Sequence, residues 1–344
     1  MTRPRILVTG VGVAGLTAAQ LLARRGCSVT VVDAGARPAP AVVLNSVTTL
    51  LLEEVWGGDG MLLAGAHQLT GRRVRWGGAG VETAAQPGVS MDGGVLARRL
   101  RERLVCDLVT GGPPGRERAA GDWDWVIDAD RTCDGLAAGR RCVLAAQVRL
   151  RPDAPDGLCR METVPDAWIH LAPLGAELAT VQAMVPACPD DPAASLAALV
   201  ARTDELGGLI TEPDGPVTVF EAAPRLAEPR CGPGWLAVGD RAMKLDPLSG
   251  SGAASAVRQA ILAAAVVGAP SAGVPVAEAL AHYARRLHDA FLDHLAHCLR
   301  YYGAAFSTPA WSAELDSMRR VLHAQAQQQV SGPYRLRLRA TGEQ

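Results

Sequence analysis

A glycine-rich turn near the start of the chain restricts the fold more than any other feature. Residues 5–9 form an apolar stretch typical of a buried strand. Residues 16–25 have a helical pattern that ends at Gly26, and residues 28–32 are rich in β-branched side chains. The turn between the first strand and the helix contains three glycines: Gly10, Gly12 and Gly15. This order of elements predicts a βαβ unit with a dinucleotide-binding turn.

Each glycine has its own steric role in such a turn. Gly10 permits the tight bend, Gly12 lets the backbone approach a pyrophosphate, and Gly15 allows close packing of helix on strand. Ala14 belongs to the same turn, where the backbone amides at the helix start face the phosphates. Asp33 ends the second strand, where an acidic side chain accepts hydrogen bonds from an adenosine ribose and disfavours a 2′-phosphate. The segment predicts an adenine dinucleotide, either FAD or NAD.

A second glycine-rich segment follows a later strand. Residues 234–240 form an apolar stretch that ends in Gly-Asp, and residues 246–252 read Asp-Pro-Leu-Ser-Gly-Ser-Gly before an Ala-rich helix expected from about 253 to 267. A carboxylate at a strand end, followed by a turn that opens a helix, is typical of a diphosphate or ribityl site. The helix dipole would also stabilise negative charge on a reduced flavin. The candidate cofactor residues here are Gly239, Asp240, Pro247, Gly250, Ser251 and Gly252.

Taken together, the two segments resemble the FAD-dependent monooxygenases of the p-hydroxybenzoate hydroxylase superfamily. The chain is most similar to the branch that contains tryptophan halogenases and the flavoproteins that mature tryptophan-derived quinone cofactors. The resemblance covers most of the chain and implies that Asp240 binds the flavin ribityl and that residues 247–252 pass the isoalloxazine ring. It also implies an α/β (α+β) fold: a Rossmann-like FAD-binding fold of the glutathione reductase type with an inserted antiparallel substrate sheet and C-terminal helices.

One motif of this superfamily is incomplete here. Its middle strand usually ends in Asp-x-x-Gly-x-x-Ser or Asp-Ala-Ser-Gly-Arg. Residues 123–131 retain the strand and Asp128, a candidate cofactor residue, but Asp130 and Arg131 occupy the place of the glycine. The substitution leaves open how closely the backbone approaches the cofactor and how tightly the flavin is held.

The predicted domains are discontinuous. Apolar and polar residues alternate at period two in four stretches between the two cofactor segments, which predicts the inserted antiparallel sheet. Those stretches are residues 142–150, 158–164, 168–172 and 178–185. The expected division is an FAD-binding domain at 1–45, 86–138 and 231–270, a substrate domain at 46–85 and 139–230, a C-terminal helical region at 271–330, and a tail at 331–344.

Candidate catalytic residues lie in the substrate half and beside the flavin segment. Residues 168–174 resemble the Trp-x-Trp-x-Ile-Pro segment of the halogenases, with His170 in place of the second tryptophan. In those enzymes the segment lies alongside the flavin and limits unproductive reactions. Trp168 and His170 are therefore candidates, although a strand with one face in the core explains them equally well. His170 is expected to titrate near neutrality and to donate or accept a proton, while Lys244 or Asp246 could position the ring or the peroxide.

A single lysine decides between oxygenation and halogenation. Of 34 basic residues only Lys244 is lysine, and it lies in the flavin segment. The halogenases need a lysine between the flavin and substrate chambers, and the matching region, residues 56–76, has none. We therefore predict a monooxygenase whose reduced FAD reacts with dioxygen to a C4a-hydroperoxide and oxygenates an electron-rich aromatic substrate, an indole or a peptidyl tryptophan. The alternatives are a flavin dehydrogenase, reductase or halogenase-like enzyme of the same fold, and a non-catalytic accessory protein with a degraded FAD site.

Composition restricts the partners. A net charge of −1 does not suit nucleic acid, and the lack of a long uninterrupted apolar run argues against a membrane span. Eight cysteines without a Cys-x-x-Cys pair favour free thiols in the cytoplasm. No second nicotinamide fingerprint is present, so electrons are expected from NAD(P)H directly or from a separate flavin reductase. His294 and His297, on a helix predicted over 276–306, are expected to be solvated, and no metal site is predicted.

Overall fold

The computed structural model describes residues 3–33, 35, 41–111, 122–130 and 135–327. These residues form a parallel sheet, a large mixed sheet, a small three-stranded sheet and seven α-helices. The strands are β1 (Arg5–Thr9), β2 (Ser28–Asp33), β3 (Val42–Asn45), β4 (His67–Arg75), β5 (Val81–Met91), β6 (Asp107–Thr110), β7 (Trp125–Asp128), β8 (Leu136–Ala137), β9 (Cys142–Leu150), β10 (Leu158–Val164), β11 (Ala167–Gly175), β12 (Leu178–Val185), β13 (Ile210–Pro213), β14 (Thr218–Glu221), β15 (Arg225–Leu226), β16 (Cys231–Gly232), β17 (Trp235–Ala237) and β18 (Met243–Lys244). The helices are α1 (Val13–Arg24), α2 (Ser46–Trp56), α3 (Gly93–Glu102), α4 (Pro192–Ala201), α5 (Gly252–Gly268), α6 (Val276–Ala305) and α7 (Pro309–Gln327).

The parallel sheet carries the predicted βαβ unit. Its strand order is β16-β17-β7-β1-β2-β6, and only the short β16 runs antiparallel to its neighbour among the described strands. Helix α1 begins at Val13, three residues earlier than expected, because the last part of the glycine turn already has helical conformation. Helices α1 and α5 pack on each other, so the starts of the two helices that follow the glycine-rich segments belong to one half of the molecule.

The large sheet confirms the inserted substrate sheet. Its order is β13-β9-β12-β11-β10-β4-β5-β3, with β14 also paired to β9, and β10 and β4 form its parallel pair. Strands β9, β10 and β12 have the predicted bounds, and β11 is longer at both ends. Helix α4 covers one face, where Leu196 and Leu199 join a buried cluster with Ile169 and Leu171. Trp168, on the opposite face of β11, lies in the main core.

Sheet membership indicates where the two halves divide. Strands β3 and β5 pair with each other in the large sheet, so residues 42–45 and 81–91 are substrate-sheet residues by their hydrogen bonds. Helix α3, directly after β5, packs instead on α1. We therefore propose domain boundaries near residues 41 and 92, in place of 45 and 86. The 331–344 tail lies outside the described residues.

The C-terminal helices close the molecule on the side of the flavin segment. Helix α6 begins at the predicted residue and ends one residue before the predicted end, and its apolar stripe is buried in the main core through Leu287, Phe291 and Leu295. Helix α5 with the turn after it, residues 252–272, is long and apolar enough to pass a composition test for a membrane span, yet half of that window is buried inside the protein. Its packing on α1 is that of a core helix.

Candidate functional site

The glycine turn has the geometry that the sequence predicts. Gly10 has φ of +90°, and a Cβ at this residue would lie 2.6 Å from the carbonyl oxygen of Ala129. A Cβ on Gly15 would collide with the carbonyl oxygen of Gly10. These contacts confirm the tight turn and the close packing of helix on strand. A Cβ on Gly12 would meet nothing within 4 Å, which leaves space for a phosphate group at the start of α1.

The acid at the end of β2 is held in place from both sides. Asp33 accepts a hydrogen bond from the Gly35 amide at 2.9 Å, and its second oxygen lies 3.1 Å from the guanidinium of Arg101 on α3. Each carboxylate oxygen can accept more than one hydrogen bond. The side chain is therefore oriented by its neighbours and retains acceptor capacity for ribose hydroxyls.

The second segment meets the first at the Gly239-Asp240 turn. Gly239 has φ of +64°, and a Cβ there would lie 2.8 Å from the Cβ of Ala14. This close approach places Asp240 beside the glycine turn, although 225 residues separate Gly239 from Ala14 in the chain. Asp240 is exposed to solvent, but surrounding protein atoms desolvate it and raise the pKa of its carboxyl, while Lys244 lowers it. The two motifs therefore form one continuous surface.

Asp128, at the end of β7, forms hydrogen bonds that connect the ends of neighbouring strands next to this surface. It accepts hydrogen bonds from the Thr9 hydroxyl at 3.2 Å and from Arg241 Nε at 2.9 Å. Its backbone carbonyl accepts from the Val238 amide at 2.9 Å. Asp128 thereby joins three strand ends, and its role toward a cofactor stays a prediction. The backbone of Ala129 closes on Gly10 at the place of the incomplete motif, and Arg131 lies outside the described residues.

The turn at residues 246–252 is built on a buried carboxylate. Asp246 is 1% exposed and begins a 3-10 turn by accepting a hydrogen bond from the Leu248 amide at 2.9 Å. The same oxygen accepts from the Tyr302 hydroxyl at 2.8 Å, and the other accepts from Arg141 Nε at 2.6 Å. Its backbone amide donates to His294 Nε2 at 2.8 Å. Protein donors thus engage both oxygens of the carboxylate, which holds the turn in place.

The buried network reaches the substrate sheet and both C-terminal helices. The indole N–H of Trp168 donates to the Tyr302 hydroxyl at 3.1 Å. Arg141 donates to Glu314 of α7 at 2.8 Å. Trp168 is 1% exposed, so its side chain is a core residue that supports Tyr302. The indole ring of Trp168 therefore has almost no exposed surface with which to make the contact with a flavin that the sequence had predicted for it.

Burial sets the protonation states of the network. Burial opposes the charge on Arg141, but the carboxylate of Asp246 outweighs it and raises the pKa of the guanidinium. Burial raises the pKa of the Tyr302 hydroxyl far above its usual value. Burial also lowers the pKa of His294 to about 4, against the opposing effect of Asp246. At neutral pH the network therefore contains a charged arginine, a protonated tyrosine and a neutral histidine that accepts through Nε2.

The remaining two predicted catalytic residues lie apart. His170 is half-buried on β11, and burial lowers its pKa to about 4. The expectation that it titrates near neutrality is therefore wrong, because the surrounding protein removes water that would stabilise the charged ring. Lys244 lies on β18 opposite Arg225, close enough to Asp240 to affect its pKa. The structure places Lys244 near Asp240 and leaves His170 in the large sheet.

A cavity of about 560 Å³ borders the turn at residues 246–252 through Leu248, Ser249 and Ser251. One wall is α5 and the other is α6, and the base is formed by the strand and turn before α5. Its lining residues are Met243, Leu245, Leu248, Ser249, Ser251, Ser255, Arg258, Gln259, Leu262, Arg286, Leu287, Ala290, Asp293, His294, His297, Cys298 and Tyr301. This volume lies within the range of small-molecule sites.

Sequence reasoning missed most of this cavity. His294 is 7% exposed, so the expectation that it is solvated is wrong, whereas His297 and Asp293 are exposed at the mouth. The sequence signal for them was only the recurrence of polar residues at helical spacing along α6. That pattern equally describes any exposed helix face. No cluster of three metal-ligating side chains occurs in the part of the chain that the structure describes.

Comparison with known proteins agrees with this geometry. Residues 8–49 match the family described as NAD(P)-binding Rossmann-like domain. Among curated proteins no sequence matches. The solved peptidyl tryptophan dihydroxylase QhpG, essential for tryptophylquinone cofactor biogenesis, is 26% identical, with a TM-score of 0.77 over 91% of this chain and 79% of QhpG.

Two solved halogenases have the same fold at lower identity. CmlS, a flavin-dependent halogenase, is 18% identical with a TM-score of 0.75 over 93% of this chain and 70% of its own. The myxobacterial chondrochloren halogenase CndH, an FAD-dependent halogenase, is 18% identical with a TM-score of 0.74 over 95% and 91%. With both glycine-rich segments on one surface, the chain is an FAD-dependent oxidoreductase with the fold of the flavin hydroxylases and halogenases.

Proposed function

We propose that this protein is an FAD-dependent monooxygenase that hydroxylates the indole ring of a tryptophan residue in a peptide. The observation that carries the proposal is the cavity that directly borders the turn at residues 246–252. The 26% identity to a peptidyl tryptophan dihydroxylase over 91% of the chain supports the choice of substrate. Bound and reduced FAD would supply the chemistry by activating dioxygen for transfer of one oxygen atom to an electron-rich ring.

The residues on the flavin surface fit this cofactor. The amides after Gly12 face open space suited to a pyrophosphate, and Asp33 and Asp240 present carboxylates for ribose and ribityl hydroxyls. The start of α5, after Ser251, presents backbone N–H groups whose dipole favours negative charge on a reduced ring. The backbone of the two glycine-rich segments shapes this surface, at Gly10, Ala14, Gly15, Gly239, Pro247, Gly250 and Gly252.

The cavity offers apolar surface for an aromatic ring together with polar side chains, of which Gln259 is the most deeply buried in the wall formed by α5. Leu245, Leu248 and Leu262 supply apolar surface for a ring. Gln259 is 3% exposed; its Nε2 donates to Ser255 at 3.1 Å, and its Oε1 has no hydrogen-bond partner among the described residues. Buried acceptors without a donor are costly. The Oε1 atom is enclosed by protein atoms, so an indole N–H would supply the missing donor once the amide group turns toward the cavity.

Halogenation is the weaker assignment for this cavity. The only lysine of the chain, Lys244, lies beside Asp240 and does not line the cavity. A lysine ammonium that would direct a halogenating agent toward a bound ring is therefore missing from the cavity wall. His170, Lys244 and Asp246 remain proposals for roles around the flavin, Asp246 as a positioning residue.

The test uses the full chain reconstituted with FAD. Tryptophan-containing peptides are incubated with NAD(P)H, with or without a flavin reductase, under isotope-labelled dioxygen, and the products are analysed by mass spectrometry. Incorporation of one or two labelled oxygen atoms into tryptophan supports the proposal. Label-free product formed without dioxygen, or bromination in the presence of bromide without hydroxylation, contradicts it.

Two further proposals follow from the chain. A flavin reductase is the expected partner if NAD(P)H alone fails to reduce the bound FAD. We place the protein in the cytoplasm, since every cysteine in the described parts of the chain is a free thiol.

A further inference from the structure

The mouth of the cavity is positively charged and open. Arg258 on α5 and Arg286 on α6 line it from different walls, and both side chains are exposed. Neither arginine forms an ion pair with a carboxylate in the described parts of the chain. Asp293 is the carboxylate that lines the same cavity, so the local charge is positive in a protein whose net charge is −1.

Arginines at the other functional surfaces of the molecule are already engaged. Arg101 pairs with Asp33 beside the glycine turn, and Arg241 pairs with Asp128 beneath it. The buried Arg141 is held by Asp246 and Glu314. Arg258 and Arg286 differ from these arginines because they line a cavity and no residue that the structure describes uses their guanidinium donors. A guanidinium with unused donors is suited to bidentate binding of a carboxylate.

The openness of the mouth fits a substrate that continues beyond the cavity. His297 and Tyr301 on α6 are exposed along the same edge as Arg286. A ring bound at the base, next to Leu248, would leave the rest of its molecule at this rim. A free amino acid bound in this way is too short to reach the rim at both α5 and α6, whereas a peptide is long enough.

We propose that Arg258 and Arg286 form a docking surface for a peptide that carries acidic residues beside the target tryptophan. The proposal rests on the proposed function, because it assigns the sequence context of the same substrate. Two exposed ion pairs, each contributing a few-fold in affinity, combine to about tenfold at low ionic strength. The contribution falls as salt screens the charges.

The experiment measures peptide binding to the FAD-loaded, oxidised protein, independently of turnover. Three labelled peptides with one tryptophan differ only in flanking residues, which are aspartate, asparagine or lysine, and Kd is measured by fluorescence anisotropy. The proteins compared are the wild type, R258E, R286E, the double variant R258E/R286E, and R320E, which makes the same charge change at an exposed arginine of α7 away from the cavity.

We expect the aspartate peptide to bind the wild type about tenfold more tightly than the asparagine peptide, with a smaller ratio at high salt. The double variant should prefer the lysine peptide, and R320E should behave as wild type. Equal Kd values for the three peptides, or equal shifts in R320E and the double variant, would overturn the docking surface even where tryptophan is hydroxylated. Charge-dependent binding without any hydroxylation would support the surface and refute the proposed reaction. If the double variant fails to retain FAD, R258Q and R286Q provide the same comparison with weaker shifts.

Discussion

Two carboxylates six residues apart in the flavin segment have opposite surroundings. Asp240 is exposed on the surface shared with the glycine turn, and desolvation raises the pKa of its carboxyl. Asp246 is buried and accepts hydrogen bonds from Leu248, Tyr302 and Arg141. The contrast shows that one short motif contains a residue available to a cofactor and another that holds the motif in shape. Substitutions at the two positions should therefore separate binding from stability.

The largest effect is expected for Asp246→Ala. Removal of this carboxylate leaves the fully buried Arg141 without its main counter-charge, which destabilises folded proteins by about 3–5 kcal/mol. Asp240→Ala removes an exposed group and should change the free energy of unfolding by less than about 0.5 kcal/mol. Chemical denaturation of the apoproteins measures both values.

Thermal unfolding with and without FAD should identify Asp240 as the residue that acts on cofactor binding. Added FAD should raise the Tm of the wild type, because a ligand that binds only the folded state stabilises it. Asp240→Ala should abolish this increase while leaving the Tm without FAD unchanged. A variant of Asp240 that binds FAD normally, or a variant of Asp246 with normal stability, would refute the division of roles.

The next effect is a pH dependence that arises from His294. Burial lowers the pKa of His294 to about 4 in the folded protein, whereas the unfolded value is near 6.5. Between these values the unfolded chain binds more protons, so stability is lost as the pH falls from about 6.5 toward 4. The loss from this residue reaches about 3 kcal/mol at the lower end. His170, whose pKa burial also lowers to about 4, adds to this loss of stability at low pH.

His294→Gln keeps an acceptor for the Asp246 amide but removes the titrating ring. We expect the free energy of unfolding to depend less steeply on pH between about 6.5 and 4 in this variant. His297→Gln, one turn further along α6 and exposed, is the matched control and should keep the wild-type slope. Identical slopes for the wild type and His294→Gln would show that the ring is protonated in the folded protein.

A smaller effect is expected for Tyr302→Phe. The hydroxyl of Tyr302 accepts from Trp168 and donates to Asp246, so its loss leaves two buried polar groups each short of one partner. We expect the free energy of unfolding to fall by about 1–3 kcal/mol. FAD affinity should fall with it, since the same bond supports the flavin turn. Tyr301→Phe removes an exposed hydroxyl from the preceding residue and should change neither quantity.

The sequence predicted the cofactor half better than the cavity, and the reason is physical. The roles of Gly10 and Gly15 follow from local backbone geometry, which a short motif fully specifies. The strands of the inserted sheet were predictable because alternation reports one buried face. The network around Asp246 joins Arg141, directly before β9, to residues from β11, α6 and α7, and no local pattern records contacts between residues 48 to 173 positions apart.

His170 and His294 illustrate the remaining failures. The motif resemblance suggested a titrating histidine at His170, but its pKa depends on how the sheet is covered, which the sequence does not encode locally. His294 was expected to be solvated because the sequence offered no clear set of metal ligands around it. It is buried because it accepts the Asp246 amide on the inner side of α6.

The smallest effect, at Gln259, sharpens the substrate assignment. Gln259 lines the cavity, and its enclosed Oε1 has no hydrogen-bond partner among the described residues, so an indole N–H toward which the amide turns should contribute roughly 1 kcal/mol to binding. Wild-type protein should therefore bind a tryptophan peptide several-fold more tightly than the same peptide with N-methylated indole. Gln259→Met, which keeps the side-chain length, should bind both peptides equally, and Leu262→Met on the same wall should retain the preference. An equal preference in wild type and Gln259→Met would mean that the indole N–H is satisfied elsewhere, and the ring would then have to be placed nearer to Ser249 and Ser251, the other hydrogen-bonding groups beside the flavin turn.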